Sequence, residues 1–221
     1  MRTEEVKIYK FDELDEKGKR KAREWFKEGY PDYEWWGDIF YMFIEKVKKY
    51  GINLDEKDIS FSGFGSQGDG ASFVCDNVDL DKFLEYTGIK IKHGLRKIFI
   101  DNTHLFVERI NHHYYNDSTS QANVYYRDIG YNDYYADYEA QKRNKIDKYL
   151  DYIAYQLCDK LDELKDALCN ELYKDLESYY YDLLSDECID DDIIFNEYEF
   201  YEDGTKYWNK VLTSKILHVI L

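Results

Sequence analysis

Apolar residues recur at three- and four-residue steps along the second half of the chain, at Ile146, Leu150, Ile153, Leu157, Leu161, Leu164, Leu168, Leu172, Leu176 and Tyr179. That period places them on one stripe of a long helix, or of a broken helix pair, over 137–183. The steps average more than the about 3.5 residues of a left-handed coiled coil, which argues against a sustained seam and leaves a homodimer open. Elsewhere the period drops to two. Ile59/Phe61 and Ala71/Phe73 predict paired strands, and Leu105/Val107 alternate against Phe106/Glu108/Ile110. A polar turn, Asn116 to Ser120, then leads into Ala122-Val124-Tyr126, a second hairpin. A third is signalled by Asp203-Gly204 between Tyr198-Phe200 and Lys206-Trp208.

The remaining elements follow from start and stop signals. Val6, Ile8 and Phe11 predict a short strand, Lys7–Tyr9. Asp12 or Asp15 caps a helix to about Lys27, with Leu14, Ala22, Trp25 and Phe26 on one face and Gly29 and Pro31 closing it. Asp32 is expected to cap a second helix to Tyr50, with Ile39, Phe43 and Val47 inward and Gly51 as its stop. Asp79 caps Leu80–Tyr86, and Ser185 starts a further helix with Asp186 and Glu187 in its first turn. Residues 89–100 fit both periods and stay unassigned, while the apolar tail Val211–Leu221 is expected to dock on the core. The fold class is α+β: a small antiparallel sheet of hairpins packed against several helices, including the long one or helix pair. It is expected to form a single domain, 1–221.

Composition changes this picture in two ways. The chain has 24 Tyr against 12 Phe and 4 Trp, more phenol than a core needs, and tyrosine suits interfaces. Its formal charge is −16, from 46 acidic and 30 basic side chains, a field that repels nucleic acid and anionic membranes and favours basic partners. Cys75, Cys158, Cys169 and Cys188 are too dispersed for a zinc site. No leader pattern and no bilayer-length apolar run is seen, so the chain reads as cytosolic with reduced thiols.

Candidate chemistry is sparse. The stretch 58–73 holds four of the twelve glycines between two strands, together with Ser62, Ser66, Gln67, Asp69 and Ser72. Loops on rigid strands gather binding residues, so Ser66, Gln67, Asp69 and Ser72, with His112 and Tyr114 from the second hairpin, are candidate ligand-binding residues. The alternative is an elaborate turn. The loop lacks GxxxxGKS/T and GxGxxG. His112 and His113 point to opposite faces of a strand, so they cannot share a metal without a bulge. Asp190-Asp191-Asp192 lacks the spacing of a calcium loop and reads as a solvated run. Trp35-Trp36 fit a pin between helices better than a platform for a base. No nucleophile elbow, catalytic residue, metal site or cofactor is identified.

The richest pattern is carboxylates interleaved with phenols. Asp128, Asp133, Tyr134, Tyr135, Asp137 and Glu139, with Asp147 and Asp151 on the following helix, are candidate partner-binding residues. Such an array would attract a protein that grips phosphates with Lys and Arg. The alternative is an acidic surface that confers solubility.

Several segments together resemble a family of bacteriophage and prophage proteins. They are Tyr9 to Leu14, Ala22 to Phe26, the loop Phe61 to Phe73, and Ser185 to Glu187 followed by Asn196 to Phe200 and Glu202 to Gly204. That family's loop reads SGFxSQGDGAxF, and its hairpin carries a His-x-Tyr-x-His-Glu-x-Thr run. The matching positions here are His112, Tyr114, Asn116, Asp117 and Thr119, with Asn and Asp replacing His and Glu. The resemblance implies a phage accessory protein acting in the host cytoplasm. With the charge and the tyrosines, it leads to the expectation of a non-enzymatic protein that neutralises a host defence protein with a basic surface, without touching nucleic acid or membrane. A small-ligand binder that sequesters a nucleotide signal on the glycine loop is the alternative.

Overall fold

The computed structural model describes residues 5–111, 114–127 and 138–208. Residues 1–35 with 178–221 form one compact unit, the terminal unit, and residues 36–177 form the central unit. Helices and small antiparallel ribbons make up both, an α+β architecture.

In the terminal unit, strand β1 (Tyr9–Lys10) pairs antiparallel with β6 (Glu199–Phe200). Helix α1 (Glu16–Lys27) starts where the Asp15 carboxylate accepts from Gly18 N, as an N-cap should. Helix α6 (Asp186–Phe195) starts the same way, with Ser185 Oγ accepting from Cys188 N. The two helices and the ribbon close around Phe11, Leu14, Ala22, Ile189, Ile193 and Phe200, with Trp25, Phe26 and Tyr198 packed on the outside of that core. The turn at Gly204 has φ +81° and lies directly against the Gly18 backbone, an approach only glycine allows.

The central unit begins with α2 (Gly37–Val47). It starts later than Asp32 predicts; its N-cap is Trp36, without a side-chain cap bond, and the backbone is already turning at Tyr33–Trp35. Trp36 packs on Phe40 and Phe61, so its ring serves the core. Ribbon β2 (Ile59–Phe61) with β3 (Ala71–Phe73) follows, then α3 (Leu80–Thr87) capped by Asp79. Helix α4 (Arg96–Asn102), a short element that buries only Phe99, starts within the unassigned stretch and runs two residues past it. Ribbon β4 (Thr103–Arg109) with β5 (Ser120–Tyr126) is the longer one, and paired backbone bonds between Cys75 and Val107 join it to the segment after β3.

Helix α5 (Tyr138–Leu183) is continuous. Leu150, Ile153, Leu157, Leu161, Leu164, Leu168, Leu172 and Leu176 are all buried, each contributing about 1.5–3 kcal/mol of transfer free energy. No helix among the described residues is long and apolar enough to cross a membrane.

Candidate functional site

The glycine loop is a closed structure. Ser62 N donates to Gly70 O and Gly70 N donates back to Ser62 Oγ, at 2.9 and 3.1 Å. The Asp69 carboxylate accepts from Gly65 N at 2.9 Å and Ser66 N at 2.6 Å, so it folds its own loop. Gly70 lies so close to the connection between β4 and β5 that a Cβ would stand 2.7 Å from Asn116 Cα. Gly68 rests on the Tyr114 ring, and its carbonyl accepts from Asn116 Nδ2 at 3.0 Å. On the other side Tyr173 of α5 donates to Gly63 O and packs on Phe64.

The candidate ligand residues therefore divide. Ser66 and Gln67 are exposed, Tyr114 is half-exposed against the loop, and Ser72 is wholly buried. His112 lies outside the described residues.

The candidate partner residues also divide. Asp128, Asp133, Tyr134, Tyr135 and Asp137 lie outside the described residues, and of Glu139 only its place in α5 is described. Asp147 accepts from Tyr126 OH at 2.9 Å, so this carboxylate ties the helix to β5. Asp151 is partly buried. Further along α5, Tyr152, Tyr155, Asp159 and Glu163 are exposed. Here phenols and carboxylates do share an outer face.

A more enclosed acidic and aromatic site lies in the terminal unit. It is a cavity of about 660 Å³ between the end of α1 with its following loop and the end of α6. Trp25 and Phe26 come from α1, Tyr30 and Tyr33 from the loop, Phe195 from α6 and Tyr198 from the segment after it. The rings form a connected set: Phe26 meets Tyr30 at 4.8 Å and Trp25 meets Tyr198 edge-on at 5.4 Å. Three carboxylates, Glu28, Asp32 and Asp192, join the wall, and among the described residues no Lys, Arg or His does. Burial, with hydrogen bonds to Tyr33 and Asp192, pushes the Tyr30 hydroxyl well above the ordinary phenol range, so it stays a neutral donor beside Asp192.

The run Asp190-Asp191-Asp192 acquires three surroundings because successive helical residues point about 100° apart. Asp190 receives both arms of Arg23 at 2.6 Å, Asp191 is exposed, and Asp192 faces the cavity. Among the described residues no cluster of His, Cys, Asp and Glu is arranged to hold a metal ion.

Two of the same rings, Trp25 and Tyr198, already hold a cation. Lys206 Nζ stands 3.8 Å from the Tyr198 centroid and 5.3 Å from that of Trp25, with Phe200 and Trp208 completing the cage. The sequence signal for this site is weak: aromatics at 25–33 and an acid run at 190–192, brought together only by packing.

No curated protein and no solved structure matches the chain. One family model does, over residues 35–186, a range that contains the glycine loop and leaves out the residues lining the cavity. Since that match covers more than half of the chain, the protein belongs to the family described as a domain of unknown function, DUF8835.

Proposed function

We propose that this chain is a binding protein for a partner that presents Arg or Lys side chains, and that the terminal-unit cavity receives one of them. The observation that carries the reading is the wall itself: six aromatic rings and three carboxylates, with no cationic side chain among its described lining residues. Ring faces attract cations and carboxylates pair with them. The formal charge of −16 adds long-range attraction and faster encounter. The exposed phenols and carboxylates of α5 supply a second acidic surface. The first partner to test is a nucleic-acid-handling defence protein of a phage host, since such proteins display basic grooves; on this reading the chain occupies such a groove and has no reaction of its own.

The test uses a fluorescent Arg-rich peptide, with anisotropy read across a salt series. Tyr33→Ala and Asp192→Asn are expected to weaken binding by about 3- to 10-fold, the scale of one cation–π or charge contact. Glu56→Gln and Asp101→Asn, at exposed carboxylates outside the cavity and outside α5, serve as controls that remove the same charge. Equal losses in both sets would leave only a diffuse acidic field and overturn the cavity assignment. Absence of binding at low salt would overturn the function.

A further inference from the structure

In the central unit the electrostatic imbalance has the opposite sign. Arg109 ends β4 on the same face as Leu105 and Val107, which are 0% and 2% exposed, so its side chain enters the interior. Its Nη1 donates to Ser72 Oγ at 3.3 Å and its Nη2 to Ser60 Oγ at 3.1 Å. Ser60 and Ser72 face each other across the β2–β3 pair. The guanidinium carbon lies 4.8 Å from the centroid of the Tyr115 ring. Directly opposite Arg109 in the β4–β5 register stands Ser120, whose buried Oγ has no hydrogen-bond partner among the described residues.

A half-buried guanidinium ordinarily has a carboxylate beside it, because desolvating a charge without compensation is costly. This chain has 46 acidic residues, yet among the described residues none pairs with Arg109. Other cations in the fold show the usual solution. Arg23 is forked onto Asp190, and the buried Lys165 reaches Asp162 and Asp166. Asp69, the carboxylate of the adjacent loop, is engaged by that loop's own N–H groups.

We propose that Arg109, with Ser60, Ser72 and Ser120, forms a subsite for the phosphate group of a small molecule. The chemistry matches. A guanidinium offers a fixed fork of donors to an oxyanion, and hydroxyls can each turn a proton toward one. The ligand supplies the charge that the fold leaves out, and it gives the Ser120 hydroxyl a partner. The glycines hold the loop against the segment that carries Tyr115, and that ring packs against the guanidinium. A small ligand fits this imbalance better than a polyanion, since the overall charge repels nucleic acid at longer range. The subsite is independent of the cation-binding cavity, so either proposal can fail alone.

Isothermal titration of the full chain with inorganic phosphate, pyrophosphate and AMP tests it, with circular dichroism confirming the fold of each variant. At least one probe is expected to bind saturably. Arg109→Gln should abolish that binding, Arg109→Lys should weaken it at least tenfold by losing the fork, and Ser120→Ala should weaken it several-fold. Arg96→Gln, at an exposed arginine paired with Asp81, should leave it unchanged. No saturable binding of any of the three probes overturns the subsite, as does binding that survives Arg109→Gln. If Arg109→Gln does not fold, Ser120→Ala decides: wild-type affinity in that variant overturns the proposal.

Discussion

The terminal and central units are unbalanced in opposite directions. Among the described residues, the terminal cavity collects carboxylates and ring faces without a cation on its wall, whereas the central unit turns a guanidinium inward without a carboxylate. Both cases stand beside a fully compensated version of the same chemistry. Lys206 already stands over two of the cavity's rings, Trp25 and Tyr198, and Lys165 lies buried at 3% exposure among four oxygens. The fold can therefore pair its charges where pairing serves structure. These two unbalanced places among the described residues are where ligands are proposed.

The sharpest form of this comparison sets Lys165 against Arg109. Lys165 Nζ donates to the Asp117 and Ser120 carbonyls at 2.8 and 2.6 Å and meets Asp166 at 2.7 Å, while Asp162 also accepts from Ala122 N. Burial alone would lower its pKa; Asp166 and Asp162 reverse that and hold it above the ordinary lysine range. Lys165→Met strands those partners and should cost about 3–5 kcal/mol of stability in urea melts, the scale for breaking a buried ion pair. Arg109→Gln, measured in phosphate-free buffer, should cost far less, because a charge without a counter-ion is itself a burden. Equal costs would make Arg109 a structural strap.

A second comparison concerns backbone at closest approach. Gly204 sits at φ +81° with its Cα face on the Gly18 carbonyl and carbonyl carbon. Gly204→Ala adds about 1–2 kcal/mol of left-handed strain and a clash that backbone must relieve. Hydrogen exchange should show the loss in the β1–β6 amides and not in those of β4–β5. Equal acceleration in both would mean that the two units unfold as one.

Much of this architecture is readable from local signals. The α5 stripe from Leu150 to Leu176, the caps Asp15, Asp79 and Ser185, and the left-handed Gly51 stop appear as the pattern predicts, because each depends on neighbours within one or two turns, whereas Tyr179, expected on the same stripe, is 41% exposed. Elements decided by distant packing are harder to read. Helix α2 begins at Gly37 instead of after Asp32, and α4 hides in a stretch too short for a period. The sites are less legible still. Three consecutive aspartates look like one solvated run until α1 approaches α6 and gives Asp190 to Arg23 and Asp192 to the cavity. Arg109 leaves one usable trace: it shares parity with Leu105 and Val107, and so belongs on the buried face.

The smallest expected effect, and the one most specific to the terminal unit, is a pH dependence from Lys206. Burial pushes its ammonium down to about 8, against the attraction of Glu199 and of the rings around it. The folded state thus releases this proton first, while the unfolded chain holds it to about 10.4. Between those values unfolding takes up a proton, so stability should rise with pH across that window and gain nothing from this residue below it. A single proton limits the slope to about tenfold in the unfolding constant per pH unit. Tyrosines and other lysines also titrate near the upper end, so the quantity to read is the difference from Lys206→Met, in exchange of the β1–β6 amides at pH 7.5 to 9.5. A slope that persists in Lys206→Met would assign the titration elsewhere. A difference of opposite sign would mean that the rings hold the ammonium more tightly than water does, and the cavity lined by Trp25 and Tyr198 would then be a stronger cation site than its carboxylates alone imply.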